Sequence, residues 1–208
     1  MYVKKWASPI TKTTTPMPVH AAQDQPSAWV SRFAGLIRPG LVLDLACGGG
    51  RHARLLASLG HTVLAVDRNQ AALDLLRADG IDTLCFDLEH EQASSHADWP
   101  FSPQRFAGIV ITNYLHRPLF DAILDSLAPG GVLIIETFAA GNAEFGKPSN
   151  PAFLLQAGEL LAVAQQQSGM RVLAFEDGYV ASPRPAMVQR LCAIHTGAAV
   201  SAPQLLLA

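Results

Sequence analysis

The sequence contains few cysteines, no long apolar run and little charge. Its three cysteines, Cys47, Cys85 and Cys192, are widely spaced within apolar stretches, which is typical of reduced thiols in the cytoplasm rather than of a disulfide or zinc framework. No stretch approaches the roughly 20 apolar residues that cross a bilayer, and the N-terminus lacks the apolar segment of a signal peptide. We therefore expect a cytoplasmic protein with no membrane partner and no metal.

Neither sign of charge dominates the chain, which carries 15 basic and 17 acidic residues. The formal net charge of −2 offers no general attraction to a phosphate backbone. Between residues 70 and 100, seven acidic side chains accompany one basic side chain, Arg77, and such a surface repels nucleic acid. The charge distribution favours a small-molecule partner over RNA or DNA, and it carries no signal of oligomeric state.

The length and composition indicate one globular domain. The 208 residues are half apolar and 15% charged, and a chain of this length buries roughly 70% of its unfolded surface around one core. Residues 1–25 are rich in Thr, Pro, Lys and Gln without a period, so we expect a flexible N-terminal arm there. The predicted domain spans residues 26–197, and residues 198–208 form a C-terminal tail.

Short apolar runs alternate with helical patterns from residue 41 onward. Strands are predicted at "LVLDLA", "TVLAVD", "DTLCFD", "GIVIT" and "GVLIIETF". Apolar strands separated by helices are typical of a parallel sheet that is covered on both faces. The pattern therefore predicts a doubly wound α/β fold with a mostly parallel sheet.

The last part of the chain departs from this alternation. A helix is predicted over residues 152–167, and strand-like runs follow at 170–181 and 186–195 with no helix between them. Such a pair can close the sheet as an antiparallel hairpin. The connection at residues 138–155 is too long for a simple turn, and it suits a lid over a substrate pocket.

Three consecutive glycines follow the first predicted strand, in "LVLDLACGGGRHA". Glycine allows a ligand to approach the backbone closely, and the N–H groups at the start of the next helix favour electron-rich groups. Gly48, Gly50 and Ala53 satisfy the dinucleotide pattern G-x-G-x-x-A, and Asp67 ends the second strand where a ribose-binding carboxylate belongs. A nicotinamide dinucleotide is therefore one candidate cofactor.

Asp44, two residues before the loop, favours a different cofactor. Its negative charge would lie near the pyrophosphate of a dinucleotide, which is an unfavourable contact, whereas it attracts a sulfonium or ammonium group. S-adenosylmethionine carries both of these cations on an adenosine. Asp44 therefore favours S-adenosylmethionine over a dinucleotide.

The stretch "VLDLACGGGR" resembles the first motif of class I S-adenosylmethionine-dependent methyltransferases, with Ala46 in place of the usual first glycine. The resemblance extends over residues 27–196. With "NYLHRPLF" and "PGGVLIIETF", the chain is similar to small bacterial methyltransferases of the tellurite-resistance type. The resemblance implies a Rossmann-like fold with a mostly parallel seven-stranded sheet, an antiparallel C-terminal hairpin, and methyl transfer to a small molecule.

The same resemblance implies which residues bind the cofactor. Asp44 would hold the amino group, Asp67 the ribose hydroxyls and Asp87 the adenine amino group. The implied cofactor-binding residues are Asp44, Ala46, Gly48, Gly50, Arg51, Asp67, Arg68, Asp87, Leu88 and Asn113.

The fourth strand ends in "NYLHRPLF", whose residues face the transferred methyl group in this family. We expect Tyr114 to shape the sulfonium end, His116 to act as a general base and Arg117 to hold a substrate anion. His116 can equally be a structural histidine. His52, in the first turn after the glycines, is a second candidate base or a histidine with a local hydrogen bond.

Two other functions stay open on the sequence. The same fold can serve a non-catalytic sensor of S-adenosylmethionine or a scaffold, since fold does not determine chemistry. A nicotinamide-dependent oxidoreductase is the less favoured alternative because of Asp44 and Asp87.

Overall fold

The computed structural model describes residues 25–89 and 99–197. Apart from Gln25, the predicted N-terminal arm lies outside these ranges, and so does the predicted tail. The described residues form one seven-stranded sheet with helices on both faces. Within these ranges, no helix has the length and apolar character that crossing a membrane requires.

The helices are short and the strands of the C-terminal half are long. The helices are α1 (Ala28–Phe33), α2 (Arg51–Ser58), α3 (Gln70–Ala78), α4 (Phe120–Asp125) and α5 (Glu159–Gln166). The strands are β1 (Leu41–Leu45), β2 (Thr62–Asp67), β3 (Asp82–Cys85), β4 (Phe106–Thr112), β5 (Leu127–Phe138), β6 (Met170–Val180) and β7 (Ala186–His195).

The strands lie in the order β3-β2-β1-β4-β5-β7-β6. Strand β1 pairs in parallel with β2 and β4, β2 pairs in parallel with β3, and β4 with β5. Strand β7 is antiparallel to both β5 and β6. The predicted doubly wound, mostly parallel seven-stranded sheet with an antiparallel C-terminal hairpin is therefore confirmed.

The central strands are apolar along their length because both faces of the sheet are covered. Successive side chains of a strand point to opposite faces. Leu43 and Ile109 pack on the face that carries α4 and α5, while Val42 and Val110 pack on the face that carries α1, α2 and α3. All four side chains are fully buried, which explains the continuous apolar runs.

The helix predicted over residues 152–167 is wrong in its first half, because α5 begins only at Glu159. The Arg117 guanidinium donates hydrogen bonds to the carbonyl oxygens of Ala152 and Leu154, both at 2.8 Å. These carbonyls therefore do not accept from the N–H groups of a helix. A tertiary contact overrides the local helix propensity of this segment.

The carboxyl ends of the parallel strands lie along one edge of the sheet. Strands β1 and β4 are neighbours, although β2 and β3 come between them in the sequence. The chain therefore leaves β1 and β4 in opposite directions, and a cleft opens between the two loops that follow. This cleft is where ligands of open α/β sheets bind.

Gly50 packs closely against the core beneath this cleft, and a substitution there tests this packing. Its φ is +74°, and a Cβ built on it would lie 2.2 Å from Cδ2 of Leu76, a side chain that is fully buried. We expect Gly50→Ala to lower the free energy of unfolding by about 2 to 4 kcal/mol, because the left-handed backbone and the overpacking both cost energy.

Urea denaturation measures this change, and Gly49→Ala is the matched control. Gly49 lies beside Gly50, and a Cβ built on it would meet no atom within 4 Å. Equal losses of stability in the two variants would contradict the packing argument.

Candidate functional site

The loop between β1 and α2, residues 46–50, has a backbone that favours glycine. Gly48 and Gly50 have φ angles of +53° and +74°, and Ala46 also lies in the left-handed region with φ of +53°. The Gly48 N–H donates to Oδ2 of Asp67 at 2.8 Å, which ties the loop to the end of β2. A Cβ built on Gly48 would meet no atom within 4 Å, so the space above the loop is open.

Asp44 lies beneath this loop, near the end of β1, and is only 1% exposed. Burial raises the pKa of its carboxyl group to about 7, although a backbone hydrogen bond from Ala53 and the charge of Arg51 oppose the shift. Among the described residues, Oδ2 of Asp44 has no hydrogen-bond partner. A buried acceptor without a donor is costly, so a ligand that brings a donor or a positive charge would stabilise it.

A cavity of about 160 Å³ lies beside the loop, above the ends of β2 and β3. We term it the carboxylate cavity, because Asp67, Asp87 and Glu89 line it. Five of the residues predicted to bind a cofactor share this lining, and they are Ala46, Asp67, Arg68, Asp87 and Leu88.

Tyr114 also lines the carboxylate cavity. Its hydroxyl is buried and has no hydrogen-bond partner in the described part of the chain. Burial raises the pKa of this phenol well above its ordinary value, and the negative charges of Glu89 and Asp87 add to the shift. The hydroxyl therefore stays protonated at neutral pH and keeps an O–H donor without an acceptor among the described residues.

A larger cavity of about 550 Å³ lies between the start of α1 and the β6–β7 hairpin. We term it the arginine cavity, because Arg51, Arg184 and Arg190 line it. Asn113 lines the arginine cavity and the next residue, Tyr114, lines the carboxylate cavity. The two cavities therefore meet at the end of β4.

A polar network forms one wall of the arginine cavity. The Ser27 N–H donates to Nε2 of His52 at 3.0 Å, and the Ser27 hydroxyl donates to Oε2 of Glu136 at 3.1 Å. Nε of Arg190 donates to the same carboxylate oxygen at 2.6 Å. These hydrogen bonds join the start of α1 to α2, β5 and β7.

His52 is neutral in this network. It is 1% exposed, and burial, with a smaller effect of the Arg51 charge, lowers its pKa to about 3. Because Nε2 accepts from Ser27, the ring proton is on Nδ1, which faces the Thr112 hydroxyl at 3.3 Å. Both ring nitrogens are occupied, which favours the local hydrogen bond over a role as general base.

Arg117 binds protein groups rather than an open space. Its Nε and Nη2 donate to the Glu159 carboxylate at 2.6 and 2.9 Å, in addition to the two carbonyl oxygens described above. Neither Arg117 nor His116 is among the residues that line the two cavities. Their catalytic roles stay predictions, whereas the structure assigns Arg117 a role in holding the start of α5.

Sequence reasoning did not single out Ser27 or Arg190 as site residues. Arg190 is a charged residue inside the apolar strand "AMVQRLCAIH", and such a residue signals a buried ion pair. Ser27 directly precedes α1. Its Oγ does accept from the Trp29 N–H at 3.1 Å as an N-cap, but the same hydroxyl also binds Glu136.

Comparison with known proteins relates this site to a family. A family model described as "Methyltransferase domain" matches residues 42–131, a range that includes the glycine loop and every residue that lines the carboxylate cavity. Residues 42–131 are therefore similar to a methyltransferase domain. The resemblance inferred from "VLDLACGGGR" is therefore confirmed.

One curated relative of this chain is the ubiquinone biosynthesis O-methyltransferase of Bordetella avium (strain 197N). It is 30% identical over 66 residues, which are 32% of this chain. The match spans 27% of the relative's length, about a quarter.

Solved structures share the fold of this chain. TehB from Haemophilus influenzae has a TM-score of 0.64 at 20% identity, over 79% of this chain and 60% of TehB. The 1,6-didemethyltoxoflavin-N1-methyltransferase of Burkholderia thailandensis has a TM-score of 0.59 at 19% identity, over 85% and 80% of the two chains. The [4+2]-cyclase SpnF has a TM-score of 0.60 at 18% identity, over 79% and 77%. Since a cyclase shares the fold, the chemistry must be argued from the site.

Asp44→Asn tests the buried carboxylate. The folded-state pKa of Asp44 is raised from 3.8 to about 7, so the folded protein holds this proton more tightly than the unfolded chain. The ionised carboxylate therefore costs stability as the pH rises from 4 through 7, and the full cost is present above pH 7. We expect Asp44→Asn to raise the free energy of unfolding of the ligand-free protein at pH 8 by about 2 to 4 kcal/mol.

Urea denaturation of both proteins at pH 5 and pH 8 measures this effect. His52 also titrates differently in the folded and unfolded states, but it is present in both proteins, so its contribution cancels in the difference between them. We expect the difference to be smaller at pH 5. A difference that does not change with pH would show that Asp44 is not the group described.

Proposed function

We propose that the protein is an S-adenosylmethionine-dependent methyltransferase that acts on a small-molecule acceptor. The observation that carries this proposal is the buried Oδ2 of Asp44, which has no hydrogen-bond partner within residues 25–89 and 99–197 and lies beneath a loop that is open above Gly48 and Gly49. An ammonium group held there supplies the missing donor and stabilises the ionised carboxylate. A pyrophosphate would instead add negative charge beside a carboxylate that already resists ionisation.

The carboxylate cavity supplies the polar groups that an adenosine needs. In the proposed complex, Asp67 accepts hydrogen bonds from the ribose hydroxyls, and Asp87 accepts one from the adenine amino group. Arg68 lies over the adenine, and Leu88 offers its N–H to a ring nitrogen. Charge-assisted hydrogen bonds of this kind contribute about 1.5 to 3 kcal/mol each.

Tyr114 has a different role in this proposal from the one expected on the sequence. Tyr114 lines the carboxylate cavity and its protonated hydroxyl has no partner among the described residues, so we assign it a hydrogen bond to an oxygen of the cofactor. A phenol whose pKa is raised is a poor general base at neutral pH.

The arginine cavity is the proposed acceptor site. When bound, the cofactor supplies an electrophilic methyl group whose carbon–sulfur bond breaks with its electron pair passing to sulfur. The protein contributes alignment, which can supply about 7 to 11 kcal/mol. Asn113 lies at the junction of the two cavities and is held there in the left-handed region, with φ of +55°, by the hydrogen bond from its N–H to the Glu136 carbonyl at 2.9 Å.

We also propose a cytoplasmic location and a partner that is not a nucleic acid. All three cysteines are free thiols, and Cys47 and Cys192 are buried. The acidic side chains around the carboxylate cavity oppose a phosphate backbone, and the arginine cavity has the size of a small-molecule site.

Asp67→Ala tests the cofactor site. Asp67 accepts from the N–H groups of Gly48 and Asn69 at 2.8 and 2.9 Å, so the variant loses the loop contact and the proposed ribose contact. We expect the affinity for S-adenosylhomocysteine, measured by calorimetry, to fall about 10- to 100-fold.

Asp82→Ala is the control, because Asp82 is an exposed acid at the opposite end of β3 from the cavity. Its affinity for S-adenosylhomocysteine should match that of the unmutated protein. No binding by the unmutated protein, or equal affinities of Asp67→Ala and Asp82→Ala, would contradict the proposed cofactor. Tight binding without transfer of a labelled methyl group to any component of a metabolite extract would contradict the proposed reaction.

A further inference from the structure

The arginine cavity has one apolar side and one charged side. Phe138, Ala186 and Val188 are buried members of a small apolar cluster, and they line the cavity on the side of β5 and β7. Ser27 and Glu136 provide its polar wall. A ligand that fits the arginine cavity therefore needs an apolar body and at least one polar group.

The positive charge of Arg190 is already balanced. Its Nε lies 2.6 Å from Glu136 and its Nη1 lies 3.0 Å from Glu176. The side chains of Arg190 and Glu136 are 18% and 13% exposed, so this ion pair is well shielded. Arg190 therefore shapes the wall and does not offer a free charge to a ligand.

Arg184 has a different environment. Its guanidinium lies 5.3 Å from the centre of the Phe138 ring, which orients it at the edge of the apolar side. It is exposed, and no carboxylate oxygen of residues 25–89 or 99–197 forms an ion pair with it. A planar guanidinium in this position can bind a carboxylate through two parallel hydrogen bonds.

We propose that the acceptor is a small organic acid with an aromatic or other apolar body, and that Arg184 is the residue that binds its carboxylate. This inference rests on the proposed function of the arginine cavity as the acceptor site. The apolar body lies along Phe138 and Val188, and the nucleophilic atom lies towards Asn113, where the two cavities meet. A neutral analogue of the same shape has no carboxylate for Arg184 to bind, so it should bind more weakly.

Calorimetry of the full chain with S-adenosylhomocysteine present tests this proposal. The probes are 4-hydroxybenzoate, 4-hydroxyphenylacetate and indole-3-acetate, each compared with its neutral amide. We expect at least one acid to bind about tenfold or more tightly than its amide. Arg184→Gln should remove that preference, while Arg184→Lys should keep part of it, because the charge remains.

Arg171→Gln is the matched control, because Arg171 is an exposed arginine of the same hairpin that is not among the residues lining the cavity. This variant should keep the preference for the acid. The proposal is overturned if acids and amides bind alike, if Arg171→Gln loses as much as Arg184→Gln, or if none of the three acids binds.

A preceding titration with S-adenosylhomocysteine alone separates this proposal from the proposed function. Arg184→Gln should bind that molecule as the unmutated protein does, since Arg184 is not part of the carboxylate cavity. Failure of the unmutated protein to bind it would count against the proposed function. Normal binding without any preference for acids would count against the role of Arg184 alone.

Discussion

The site depends on the burial of one carboxylate. Side chains of a strand alternate between the two faces of the sheet, so Asp44 shares the face of Val42, which α1, α2 and α3 cover. Its neighbours in the core there are apolar. The helix that begins at Arg51 brings a positive charge and a backbone N–H from Ala53 towards it, but these contacts do not offset the loss of water. The buried Asp44 carboxylate therefore lowers the stability of the ligand-free protein, and a cation bound beside it would remove this cost. Functional sites commonly lower stability in this way.

Burial shifts the pKa values of Asp44 and His52, one on each side of the glycine loop, in opposite directions. It raises the pKa of Asp44 to about 7 and lowers that of His52 to about 3. Between these values, the two side chains are mainly uncharged in the ligand-free protein, so the first turn of α2 has little buried charge nearby. A bound cation would favour the ionised form of Asp44, and its binding would therefore be linked to the release of a proton. His52 meanwhile stays neutral and keeps Ser27 in place at the wall of the arginine cavity.

The sequence allowed the sheet, its hairpin and the position of Asp67 and Asp87 at one edge of the sheet to be predicted, because these features depend on local patterns. Strand ends are visible as the last residues of apolar runs, and parallel strands bring such ends together, as with Asp67 and Asp87. The polar wall could not be predicted in the same way. The hydrogen bond from Ser27 to Glu136 joins residues 109 positions apart, and Ser27 lies outside every motif that the sequence shows. The start of α5 was misplaced for the same reason, since it depends on Arg117 from a distant loop.

The two cavities lie at different halves of the sheet, and β7, where the strand direction reverses, belongs to the half with the arginine cavity. The residues that line the carboxylate cavity follow β1, β2, β3 and β4, whereas β5, β7 and the hairpin turn at residues 181–185 provide most of the arginine cavity. The turn is exposed and connects two strands at the edge of the sheet that hold each other by antiparallel pairing. Substitutions in this turn can change the shape and charge of the arginine cavity, while the strands beneath the carboxylate cavity keep their register. If the two cavities bind as proposed, substitutions in the hairpin turn would change the choice of acceptor while the nucleoside site stays the same.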